Sequence, residues 1–71
     1  MWDYSGLYVA GRYWDDIPVR GRVESSRVKY DGIVYHTVVL DEPVNVYGAL
    51  RERIILDMFE FERVMSIVEI V

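Results

Sequence analysis

The chain has no cysteine, so neither a disulfide nor a thiolate metal site can hold it together. Proline appears twice and histidine once, which leaves little for imidazole-based acid–base or metal chemistry. No apolar run approaches the roughly 18 residues that a helix needs to cross a bilayer. Met1-Trp2-Asp3-Tyr4 lacks the basic start and apolar core of a secretory leader; with the absent cysteines, this predicts a cytoplasmic protein. Positive charge is also short. Eight Lys and Arg stand against twelve Asp and Glu, a net charge of −4, which argues against a general polyanion binder and leaves room only for a local basic patch.

Enzyme signatures are missing too. Gly6, Gly11, Gly21, Gly32 and Gly48 are scattered singly, so no glycine loop cradles a phosphate. Asp15-Asp16 and Asp41-Glu42 are adjacent pairs whose side chains diverge, unlike carboxylates that face each other across a cleft. His36 lies in an apolar stretch and reads as a partly buried, hydrogen-bonded structural residue. The expectation is a non-enzymatic domain with no cofactor, no metal and no membrane contact.

What is present is apolar and aromatic. Of 71 residues, 52% are hydrophobic and 14% aromatic. Residues 1–71 make one domain, near the size at which a single core is only just sufficient. So much apolar side chain exceeds what one small core can hide, and a homo-oligomer is expected to cover the surplus.

Val19 to Leu40 organises the chain as two extended runs joined at Asp31-Gly32, a strong hairpin signal that suits a type I′ turn. Val19, Gly21 and Val23 share one strand face, with Arg20, Arg22 and Glu24 on the other. Beyond Ser25-Ser26 the apolar set moves to Val28 and Tyr30, which requires one extra residue and predicts a β-bulge. Ile33 to Leu40 is apolar on both faces apart from His36 and Thr37, the pattern of a central strand.

Around this hairpin, residues Met1 to Gly6 read as an ordered arm and Leu7 to Trp14 as a first strand, with Gly11 a bulge or close-approach point. Asp15 to Pro18 is a turn. Asp41-Glu42-Pro43 is expected to end the central strand, and Val44 to Gly48 to be a short edge strand or an extended loop. The last third admits two readings. As strands, Arg51–Asp57 and Met65–Val71 flank a short or 3₁₀ turn at Met58–Val64. As a helix, Leu50, Ile54, Met58, Phe61, Met65 and Val68 recur at steps of three and four over residues 50–68. The β-branched end favours strands.

About five short strands, a tight hairpin and a turn before the last strand predict an all-β fold, a small SH3-like barrel; the alternative is α+β with a C-terminal helix over residues 50–68. Val19-Arg20-Gly21-Arg22-Val23-Glu24-Ser25 resembles the second strand of Sm-like RNA-binding proteins, His36 to Leu40 the strand after it, and Arg53 to Ile67 their closing strand pair. Lys29-Tyr30, Asn45-Val46-Tyr47-Gly48 and Leu56-Asp57 are similar to segments of the small SH3-like subunit of photosystem I. Both likenesses imply a barrel, and the first implies single-stranded RNA as a partner.

Two binding readings remain. Six tyrosines, two tryptophans and three methionines are residue types that anchor protein interfaces, and a protein partner is the leading expectation. Arg12, Arg20, Arg22, Arg27 and Lys29 stand near Tyr8, Tyr13, Trp14 and Tyr30, a mixture that single-stranded nucleic acid uses for phosphates and base stacking. Arg51 and Arg53 repeat the Arg20–Arg22 spacing and would extend one basic stripe if their strands are neighbours. Tyr13 and Tyr47 are the first candidates for exposed anchors. A compact acidic domain of this kind also suits a virus-encoded or mobile-element accessory protein.

Overall fold

A computed structural model describes residues 2–13 and 16–68 of the chain. Trp14 and the end of the predicted last strand, residues 69–71, lie outside the described residues. The elements are β1 (Tyr8–Tyr13), β2 (Ile17–Val28), β3 (Val34–Val46), β4 (Ala49–Asp57), α1 (Met58–Val64) and β5 (Met65–Ile67). The five strands form one antiparallel sheet in the order β4-β3-β2-β1-β5. The fold is therefore all-β with one short helix. Among the described residues β4 and β5 are the two edges of the sheet, and no helix is long and apolar enough to cross a membrane.

The period-2 pattern sets the faces of β2. Val19 and Val23 are buried while Arg20, Arg22 and Glu24 are exposed. Val23 faces Val38 and Ser25 faces Thr37, so Glu24 is the extra residue of the predicted bulge. Beyond it Ser26 lies opposite His36 and Val28 opposite Val34, the change of parity that the sequence requires, although Val28 is exposed and Tyr30 lies in solvent past the end of the strand. Pro18 is tolerated in β2 because β3 begins pairing only at Gly21. Gly21 itself sits between Val9 and Leu40, where a Cβ would lie 2.1 Å from the Val39 carbonyl oxygen. Gly11 is in the same position against the Val64 carbonyl, 1.9 Å away; both are close-approach points rather than bulges.

The helix over residues 50–68 does not form. Leu50 and Ile54 belong to β4, and the helix is confined to seven residues. Asp57 stops the strand and starts the helix: its carboxylate accepts from the Phe59 and Glu60 N–H groups, and the Glu60 side chain accepts from the Asp57 N–H. This reciprocal cap needs Asp and Glu three residues apart. Met65 then returns to extended geometry and begins β5. The short turn expected at Met58–Val64 has those bounds but is α-helical.

Two expectations about turns are exchanged. Asp31-Gly32 does not form a type I′ turn: among the described residues only Asp16 and Tyr47 are non-glycines with positive φ. Instead the Gly32 N–H reaches the Lys29 carbonyl, and the Lys29 N–H the Ile33 carbonyl. Gly32, at φ 84°, completes a three-residue loop, and Asp31 accepts from the Ile33 N–H at 2.9 Å. The two-residue turn lies at Tyr47-Gly48, where both φ values are positive, 50° and 81°, and Val46 faces Ala49. Nor does Asp41-Glu42-Pro43 end the central strand. β3 runs on to Val46 through a register shift between Val39 and Val44; Pro43, with no N–H to offer, sits in the unpaired stretch. Val44–Val46 is thus the end of β3, not a separate edge strand.

Val9, Val19, Val23, Val38, Leu40, Ile54, Leu56, Phe61 and Met65 form the core, with Tyr4, Tyr13, Ile17, Val44 and Val64 around it. The molecule is a slab of 33 × 32 × 18 Å. In so thin a body the apolar surplus stays outside: Tyr30, Tyr47, Leu50, Ile55 and Phe59 are all more than half exposed.

Candidate functional site

Two concave regions lie at opposite ends of β3. At its start, the N-terminal arm folds over the sheet. Gly6 N–H bonds the Val23 carbonyl, Val23 N–H bonds the Leu7 carbonyl, and Tyr4 N–H reaches Ser26 Oγ at 3.0 Å. The arm is ordered as predicted, although residues 2–4 form no strand. Tyr4 thereby stacks on His36, with ring centroids 5.0 Å apart and planes inclined by 13°. Phe61 of α1 closes the trio at 4.5 Å from His36 and 5.4 Å from Tyr4. His36 is 2% exposed, and its Nδ1 lies 2.7 Å from Ser26 Oγ. Burial pushes its pKa below the usual 6.5, with the Asp3 charge acting weakly in the other direction. A cleft of 590 Å³ opens beside the trio, lined also by Trp2, Val34, Met58 and all three residues of β5.

At the other end of β3, a depression of 380 Å³ gathers Tyr13, Val46, Tyr47, Arg51, Arg53, Ile54 and Ile55. It joins the end of β1, the Tyr47-Gly48 turn and the edge strand β4, and so brings together Tyr13, Tyr47, Arg51 and Arg53 from the sequence-derived set. Tyr47 is 78%, Leu50 69% and Ile55 62% exposed. A bulky side chain at φ 50° is a rare and strained arrangement. Asn45 supports the turn by accepting from the Gly48 N–H at 2.9 Å.

The other candidates are dispersed. Arg20 and Arg22 do point outward, but β3 separates their strand from that of Arg51 and Arg53, so the proposed continuous basic stripe does not exist. Acidic groups interleave what remains. Arg53 pairs with Glu24 at 3.2 Å. Tyr8 donates to Asp41, a bond that raises the Tyr8 pKa. The Arg22 guanidinium lies 5.5 Å from the Tyr8 ring centroid, and its Nη1 donates to the Gly6 carbonyl at 2.9 Å. Arg27 and Lys29 sit at the far hairpin, Lys29 over the Tyr35 ring at 4.3 Å. Trp14 lies outside the described residues.

Leu50, Ile55 and the Tyr4–His36–Phe61 cluster were not singled out by sequence reasoning. The capping box at Asp57–Glu60 is the signal that would have separated β4 from α1 and exposed Leu50 and Ile55 as edge-strand residues. Nothing local in the sequence joins Tyr4 to His36. Compared with known protein families, curated proteins and solved structures, the chain matches none.

Proposed function

We infer that the chain is a small non-enzymatic binding module that acts through protein–protein contact at the β4 edge. The observation that carries this reading is the exposure of Leu50 and Ile55 on a nine-residue edge strand, with exposed Tyr47 in the turn that leads into it. Sheet edges are usually blunted by charge, proline or cover. Here Leu50 and Ile55 flank a charged middle, Arg51-Glu52-Arg53, on a strand whose outer backbone groups face no neighbouring strand among the described residues, the edge that β-augmentation would use. The sheet order, with a short helix before the last strand, supports reading the domain as a small SH3-like barrel. A second copy of the chain could use the same edge, which is how the apolar surplus would be covered, and the cysteine-free sequence suits a cytoplasmic setting.

A second reading, binding of single-stranded nucleic acid, draws on Arg22 lying over Tyr8 and on the exposed Arg20 beside it. The acids among those arginines weaken it. One experiment separates the two: recovery of partners from a lysate by the wild-type chain, by Leu50→Glu and by Arg20→Glu with Arg22→Glu, each with and without nuclease. The protein reading predicts nuclease-resistant recovery that Leu50→Glu abolishes and the arginine variant retains. Nuclease-sensitive, arginine-dependent recovery would replace it with the nucleic-acid reading.

A further inference from the structure

We propose that the cleft beside His36 is a second binding site, which takes one apolar residue of an extended, uncharged peptide segment: its side chain against Phe61 and Met65, its peptide carbonyl on Nε2 of His36. This site is separate from the β4 edge and does not rest on that reading.

The argument starts from hydrogen bonds. Ser26 Oγ accepts from the Tyr4 N–H and lies 2.7 Å from His36 Nδ1. If the Ser26 hydroxyl proton points to Nδ1, all three groups are satisfied together and the imidazole carries its proton on Nε2. Nε2 has no hydrogen-bond partner among the described residues. Yet no buried side-chain nitrogen or oxygen among them lacks one, so Nε2 keeps contact with accessible space, and the space beside this ring is the cleft. In that tautomer, a histidine that is 2% exposed offers one donor to whatever enters.

The walls define the rest of the ligand. Trp2, Tyr4, Val34, Met58 and Phe61 give an apolar and aromatic lining, and the volume of 590 Å³ holds one large side chain with its flanking peptide groups. Glu62 is the only charged residue of the lining, and Asp3 lies near enough to act on His36. Both disfavour an anion. The inward N–H disfavours a cation. A neutral acceptor remains, and the peptide carbonyl is the acceptor that comes attached to an apolar side chain. Its source is a strand, because Met65, Ser66 and Ile67 line the cleft and, among the described residues, β5 pairs only with β1. An added segment running along β5 would lie across the opening.

The test is an NMR titration of the whole ¹⁵N-labelled chain with N-acetyl-leucine methylamide, an apolar side chain between two peptide carbonyls. Wild type should show saturable shifts centred on Tyr4, His36 and Met65. His36→Phe keeps a ring of similar size but removes the donor, and should bind at least about fivefold more weakly, the effect of one ordinary hydrogen bond. Met58→Glu, at the exposed mouth, should weaken binding without touching the core and decides the matter if His36→Phe does not fold. Glu42→Gln, exposed and outside the cleft, should leave the affinity unchanged. Equal affinity in wild type and a folded His36→Phe, unaltered affinity in Met58→Glu, shifts centred on Tyr47 and Ile55, or no saturable shift at all would each overturn the proposal.

Discussion

The aromatic residues at the two ends of β3 differ in how far they are exposed. At the start, Tyr4, His36 and Phe61 lie ring against ring, and a serine shared with the arm meets the imidazole at Nδ1. At the finish, Tyr47 is 78% exposed on a left-handed backbone, with Leu50 and Ile55 also in solvent. The first arrangement removes apolar surface from water and ties the N-terminal arm to the sheet. The second leaves apolar surface in water and adds backbone strain. The start of the strand is built mainly by burial, whereas Tyr47, Leu50 and Ile55 stay largely exposed at its finish, and it is on that exposure that the proposed binding surface rests.

If this division holds, mutations at the two ends should differ in size and in sign. The largest effect belongs to Phe61→Ala, which empties the centre of the ring cluster and should destabilise by about 3 kcal/mol in urea unfolding. Asp57→Ala, which removes the cap that divides β4 from α1, should cost about 1 kcal/mol. The His36 end should also carry a pH dependence. Because burial lowers the folded-state pKa of His36 below 6.5, the unfolded chain takes the proton first. The stability this group contributes is present above about pH 6.5 and declines as pH falls below it towards the folded-state value. A folded His36→Phe variant should lose that slope. Asp3, whose pKa is lowered by its hydrogen bonds with Ser5, would act only below its ordinary 3.8, so the two windows can be told apart. The smallest effect is expected at the β4 end: Arg53→Ala breaks an exposed pair with Glu24 and should change stability by about 0.3 kcal/mol.

The same contrast shows what the sequence could reveal. Alternation in Val19–Val23 and its change of parity past the serines placed β2, its faces and its bulge, because inward and outward positions obey a strict period of two. The outward direction of Arg20 and Arg22 followed from that pattern. The turns did not follow. Asp31-Gly32 has the favoured residues for a two-residue turn, yet its strands close through a three-residue loop; Tyr47-Gly48 has an unfavourable one and forms the tight turn. Register along a 13-residue strand decides both, and register is a property of the whole sheet. The stripe from Leu50 to Val68 matched a helix because β4, α1 and β5 place Ile54, Phe61 and Met65 in one core, although Leu50, Met58 and Val68 are exposed; the Asp57–Glu60 cap divides the elements. The Tyr4–Ser26–His36 contacts join residues 10 to 22 positions apart by hydrogen bonds, a spacing that no local pattern encodes.

Tyr47 is where the contrast is sharpest, and equilibrium unfolding of Tyr47→Asn examines it directly. Asn-Gly is the preferred pair for a turn with positive φ at both central positions, and Asn accepts the left-handed region more readily than Tyr does. If Tyr47 is kept for contact rather than for the fold, the variant should be more stable than wild type, by about 1 kcal/mol, and should recover less partner. A variant destabilised by 1 kcal/mol or more, the behaviour of a truncated core aromatic, would show that Tyr47 serves the fold, and the β4 end would lose its claim to be the binding surface.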